Sequence, residues 1–133
     1  MNTIVHGLHH FTLRCELEQL DALSDFYRRA LGLEPGDRPA LRFPGYWLYA
    51  CGQPVVHLYA SGRAASPEAV ALDHVSFRAS GLAAARRRLA AEGIDYTEAP
   101  VPGWSLHQVF IRDPLGLKLE LTFDMAEEGE GRP

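Results

Sequence analysis

Two stretches of the chain alternate apolar and polar side chains in nearly the same order, LHHFTLRC (Leu8 to Cys15) and LDHVSFRA (Leu72 to Ala79). A period of two over such a run predicts a strand with one covered face. Between and after these runs the period changes. Over residues 17–31, Leu20, Leu23, Phe26, Tyr27, Ala30 and Leu31 recur at helical spacing, and Gly32 stands where a C-terminal cap belongs. Residues 81–92 repeat the pattern with Leu82, Ala85, Leu89 and Glu92, closed by Gly93. After the first helix come two short apolar runs, Tyr46 to Ala50 and Val55 to Tyr59, around a CGQP turn. After the second, residues 107–112 and 117–123 flank a DPLG turn. One further strand in each half is expected near 38–43 (RPALRF) and near 95–101.

The spacing between matching landmarks is steady: His10 to His74 is 64 residues, Gly32 to Gly93 is 61, and His57 to Glu120 is 63. The chain therefore reads as an internal repeat. The predicted fold class is α+β, built from two tandem βαβββ modules. We expect a single domain over 1–125, with module one at 4–62 and module two at 70–124. An Ala/Ser/Gly/Pro linker near 61–70 joins them, and a flexible acidic tail, AEEGEGRP, follows at 126–133.

The strand faces now carry the chemistry. In the first strand His9, Phe11, Leu13 and Cys15 share the face turned to the helix, leaving His10, Thr12 and Arg14 on the other. In the second module Val75 and Phe77 cover the helix, while His74, Ser76 and Arg78 face inward. The final strand of each module splits the same way, with His57 and Tyr59 inward in one and Lys118, Glu120 and Thr122 inward in the other. Four candidate metal ligands thus occupy equivalent inward positions: His10, His57, His74 and Glu120. Imidazole and carboxylate donors suit one borderline divalent ion such as Zn, Ni, Fe, Co or Mn. Three or four ligands leave a position open for substrate. The plainer alternative is a solvated sheet face whose histidines bond to neighbours. Arg14, Trp47, Tyr49, Tyr59, Arg78, Trp104 and Phe110 are the candidates for holding a substrate. His107 alternates with Val109 and Ile111 and is expected to be structural.

Composition narrows the partners. Seventeen acidic against thirteen basic residues give a net charge of −4, without the basic excess that a nucleic-acid binder needs. No apolar run approaches the roughly 18 residues of a membrane span. Without a leader-like N-terminus, the expected location is cytoplasmic. The two cysteines, Cys15 and Cys51, have no metal or redox spacing and are expected to be buried thiols.

The stretches GLHHFTL, DFYRRALGL, LDHVSF and RDPLGLKLEL, spanning residues 7–123, resemble the vicinal oxygen chelate superfamily. That group holds glyoxalase I, methylmalonyl-CoA epimerase, fosfomycin- and bleomycin-resistance proteins and extradiol dioxygenases. The resemblance implies that each module curls into half of an open, barrel-like curved sheet with its helix outside, and that a metal lies in the cavity. It also implies ligand positions at His10, His74 and Glu120, a fourth at His57, and often a homodimer. At the fourth position glyoxalase I usually has Glu and the epimerase Gln, so His57 departs from both. Extradiol dioxygenases usually carry a tyrosine ten residues before the ligand glutamate, where this chain has Phe110.

The leading expectation is a divalent-metal-dependent, glyoxalase-like lyase, isomerase or epimerase. It would act on a small oxygen-chelating substrate by proton transfer through a metal-bound enediolate, with Glu120 as base and His57 as fourth ligand or second acid/base. The alternatives are an extradiol ring-cleaving dioxygenase, a non-catalytic drug-binding resistance protein, and an antibiotic thiol transferase.

Overall fold

The computed structural model describes residues 7–61, 72 and 74–128. The chain forms two compact units, residues 1–65 and 66–133. Both have the same plan, an α+β arrangement of two βαβββ modules.

In unit one the order is β1 (Phe11–Cys15), α1 (Leu17–Leu31), β2 (Glu34–Gly36), β3 (Gly45–Ala50) and β4 (Gln53–Ala60). The sheet order is β1-β4-β3-β2, with β1 and β4 parallel and the remaining pairs antiparallel. Helix α1 runs over the residues its periodicity predicts. It starts where Gln19 Oε1 accepts the backbone N–H of Glu16 at 2.9 Å, and it ends at Gly32 with a left-handed φ of 74°. Its face, Leu20, Leu23, Phe26, Tyr27 and Ala30, is buried, as are Leu48 of β3 and Val56 and Leu58 of β4. Each of the buried Leu, Val and Phe side chains contributes about 1.5–3 kcal/mol by leaving water. Cys51 and Gly52 both take positive φ, 50° and 79°, forming the two-residue turn between β3 and β4.

Unit two repeats the order with β5 (His74–Ala79), α2 (Leu82–Ala91), β6 (Thr97–Pro100), β7 (Leu106–Arg112) and β8 (Lys118–Asp124), followed by a short α3 (Met125–Glu128). The sheet order β5-β8-β7-β6 matches that of unit one. Leu82 and Leu89 of α2 and Val109, Ile111, Leu119, Leu121 and Phe123 of the sheet are buried. The DPLG turn closes on buried Asp113, whose Oδ1 accepts the N–H groups of Leu115 and Leu117 at 2.8 and 2.9 Å.

Several expectations need correction. The stretch 38–43 is a loop, and β2 lies earlier at Glu34–Gly36. Pro39 and Pro44 remove ladder donors, and Arg38 folds back to give Phe43 O a 2.9 Å hydrogen bond. The first strand begins at Phe11 rather than Leu8, so His9 covers no helix and is exposed. The tail is not loose from residue 126: α3 runs through Glu128, whose carboxylate accepts the backbone N–H groups of Gly81 and Leu82 at 2.9 and 2.7 Å. Those amides begin α2, whose own N-cap is a glycine with nothing to offer. Cys15 is buried, but Cys51 is exposed because it occupies the hairpin turn. Most of the linker expected at 61–70 and the last five residues lie outside the described residues. Among the described residues no helix is long and apolar enough to cross a membrane.

Candidate functional site

In unit one, parallel pairing sets Thr12 beside His57, and antiparallel pairing sets Trp47 beside His57 from the other flank. All three side chains share the face away from α1. His10, just before β1, comes onto the same face. Its ring stacks on His57 with centroids 3.8 Å apart and planes 12° apart. Trp47 stacks on His57 at 3.9 Å and 11°. His57 Nε2 donates to Pro54 O at 3.0 Å, so the proton sits on Nε2 and Nδ1 is the unprotonated nitrogen. Burial, then the neighbouring His10, pushes the His57 imidazole below the ordinary histidine range, favouring this neutral form. His9 and His10 share a hydrogen bond between their Nδ1 atoms at 2.9 Å.

In unit two, His74, Ser76 and Arg78 of β5 lie beside Lys118, Glu120 and Thr122 of β8. Glu120 is buried, 7 % exposed, on the face opposite the leucines of its own strand. Its Oε1 stands 3.3 Å from His74 Nε2, and its Oε2 accepts from Gln108 Nε2 at 3.1 Å. Phe110 is the cross-strand partner of Glu120. Lys118 Nζ lies 4.9 Å from the Phe110 ring centroid. Ser76 and Thr122 hydroxyls bond at 2.7 Å.

These pairs differ in fitness for a metal. A donor separation of 3.3 Å is long for a charge-assisted hydrogen bond, which prefers about 2.7–2.9 Å. It is what two donors about 2.1 Å from a common ion show at an angle near 100°. Gln108 supplies the outer support that orients such a carboxylate. The His10–His57 pair does not fit as a joint ligand set while stacked. A ligating imidazole holds its ion in the ring plane, and two nearly parallel planes 3.8 Å apart share no such point nearby. Among the described residues no group of three or more His, Cys, Asp or Glu side chains gathers as an ion site. Each unit brings two.

The other candidates separate as follows. Trp47 and Tyr59 line a cavity of about 370 Å³ in unit one with Arg38, Arg42, Phe43 and His57. Tyr49 lies beside it in β3 but gives its hydroxyl to Asp37 O at 2.7 Å. Arg14 pairs with Tyr59 across the strands, and its Nε is buried without a partner. Arg78 lines a cavity of about 480 Å³ in unit two with Ser76, Thr122 and Asp124. Trp104 is 73 % exposed in the turn before β7. His107 is structural: its Nε2 meets Glu98 Oε1 at 2.7 Å, and Arg86 Nη2 meets the same oxygen at 2.5 Å.

Sequence reasoning passed over Gln108, Arg38 and Arg42. Gln108 had a signal, since alternation places it with Phe110 on the inward face of β7. Arg38 and Arg42 had none, because the loop that carries them resembled a strand.

Comparison with known proteins agrees with this architecture. No curated protein matches the chain. A solved glyoxalase family protein from Bacillus anthracis superposes with a TM-score of 0.76 at 17 % identity, covering 93 % of this chain and 99 % of that one. The glyoxalase/bleomycin resistance protein/dioxygenase domain from Frankia sp. EAN1pec gives 0.70 at 21 %, covering 95 % and 96 %. A mutant of the fosfomycin resistance protein FosX from Listeria monocytogenes, complexed with Mn(II) and 1S,2S-dihydroxypropylphosphonic acid, gives 0.71 at 16 %, covering 97 % and 100 %. The family profile described as Glyoxalase/Bleomycin resistance protein/Dioxygenase superfamily matches residues 7–121, and the chain belongs to that superfamily.

Proposed function

We propose that the chain is a divalent-metal-dependent enzyme of glyoxalase type that moves a proton next to a carbonyl in a small oxygen-chelating substrate. The observation that carries this reading is the 3.3 Å approach of His74 Nε2 to a buried Glu120 carboxylate braced by Gln108. His74 and Glu120 would hold the ion, with its remaining positions open to other donors and to substrate. When bound, the ion supplies Lewis acidity toward the substrate oxygens. Glu120 would be the base: Gln108 holds Oε2, and Oε1 would swing off the ion to take the proton. His57 keeps its Nε2 proton on Pro54 O and presents a neutral Nδ1 that can accept a second proton.

A second reading is a metal-free binder of an apolar ligand. The aromatic cavity of unit one, with Trp47 and Tyr59 in its wall, favours it.

Metal analysis of protein purified without an affinity tag and reloaded with Mn(II), Ni(II) or Zn(II) separates the two. One ion per chain is expected for the native protein, and a marked loss in His74→Ala and Glu120→Gln. A native protein that retains no ion after reloading sinks the enzyme reading in favour of the binder. Oxygen uptake with catechols after anaerobic iron loading would move it to the dioxygenase class.

A further inference from the structure

The loop between β2 and β3 brings two arginines into the wall of the unit-one cavity, and one residue holds both. Phe43 O accepts from Arg38 Nη2 at 2.9 Å, and the Phe43 ring lies under the Arg42 guanidinium at 5.1 Å. Gly45 lets Arg38 lie this close. A Cβ there would stand 2.8 Å from Arg38 Nη2 and closer still to the Leu58 carbonyl. Neither arginine has a carboxylate partner among the described residues, and no acidic side chain lines the cavity. Arg38 Nε is buried without an acceptor. A buried guanidinium N–H left unpaired is costly unless something arrives to accept it. The rest of the wall is mostly apolar and aromatic, with Trp47, Phe43, Tyr59 and Leu41, beside the polar His57 and Thr12.

Two planar cations in the wall of a largely aromatic cavity suit a planar apolar body carrying an anionic fork. We infer that unit one binds a small aromatic carboxylic acid, its ring against Trp47, Phe43 and Tyr59 and its carboxylate on Arg38 and Arg42. A guanidinium matches a carboxylate through two parallel N–H donors, which a lysine does not reproduce. The cavity, about 370 Å³, falls within the range of small-molecule sites and takes one or two fused rings. This binding site goes beyond the reaction proposed above and does not depend on it: the arginines do the binding and need no ion.

Isothermal titration calorimetry with 1-naphthoate, run on EDTA-treated and on Mn(II)-loaded full-length protein, tests it. Saturable 1:1 binding is expected in both. The neutral isostere 1-naphthamide and inorganic phosphate should each bind at least about tenfold more weakly. Arg42→Ala, at an exposed position, should weaken naphthoate about tenfold with unchanged thermal unfolding. Arg38→Lys should weaken it although the charge is kept. Equal affinity for the amide, equal affinity for phosphate, or unchanged binding in both variants overturns the inference. Naphthoate binding to a protein that takes up no metal would remove the enzyme reading and leave this site standing. Metal uptake without naphthoate binding would do the reverse.

Discussion

His10 and His57 lie face to face with ring planes 12° apart, and Trp47 closes the other flank of His57. That relationship gives the two histidines different work. A ring held flat between two others and pinned through Nε2 to Pro54 O is a wedge, apart from any proton its Nδ1 would take under the proposed function. His57→Phe keeps the wedge and removes the nitrogens. It should hold near-native metal content and lose most activity. His57→Ala leaves a gap in the stack and should lower stability by about 2 kcal/mol. Urea unfolding and metal analysis of both variants check this. Metal loss in His57→Phe would return His57 to the ligand set.

Gln108 holds Oε2 of Glu120 at 3.1 Å, so under the proposed function it would act on a bound metal through that carboxylate. Replacing it with leucine keeps the strand and drops the donor. The affinity for Mn(II) should fall about 10–100-fold, as for other outer supports of a ligating carboxylate. Unfolding by urea should change little. An unchanged Kd in calorimetric titration would mean that Glu120 is oriented without Gln108.

Glu128 does the work of an N-cap for a helix that lacks one. Its carboxylate reaches the amides of Gly81 and Leu82 and places negative charge at the positive end of α2. Glu128→Ala should cost about 1 kcal/mol, and Glu128→Gln, which can still accept, about half of that. Thermal unfolding of the pair against the native protein reads the order. Equal Tm values for all three would show that the contact adds nothing.

Glu98 carries the clearest pH dependence. The hydrogen bonds from Arg86 first, and from His107 second, hold its carboxyl below the ordinary glutamate range. The folded pKa is therefore below the unfolded one. The stability from this group is fully present above the unfolded value, about 4.3, and is lost as pH falls below it through the folded value. Because the group is partly exposed, the effect is at most about 1 kcal/mol. The stability gap between the native protein and Glu98→Gln should be widest near neutrality and should close as the pH falls well below that range. A gap that stays constant through the acid range would remove the network from the account.

The parts of this protein that follow from near-neighbour patterning were legible in the chain. Leu20, Leu23, Phe26, Tyr27 and Ala30 can share a buried face only as a helix, and Gly32 ends it because a left-handed residue is needed there. The 64-residue echo from His10 to His74 announced two modules of one plan, and both sheets have the same strand order. The stretch RPALRF misled because its composition suits an edge strand, whereas Pro39, the Pro44 that follows and the Arg38 bond to Phe43 O make a loop.

What the sequence left open is which side chains meet. Alternation says that His57 and Trp47 face one way and that Gln108, Phe110 and Glu120 face one way. It does not say that Trp47 lies against His57, that Gln108 bonds to Glu120, or that Glu128 returns to cap α2. Those depend on strand register and on where the chain re-enters after a turn. Register is set by packing across the whole sheet, so a pattern with period two fixes the face and leaves the neighbour to the fold.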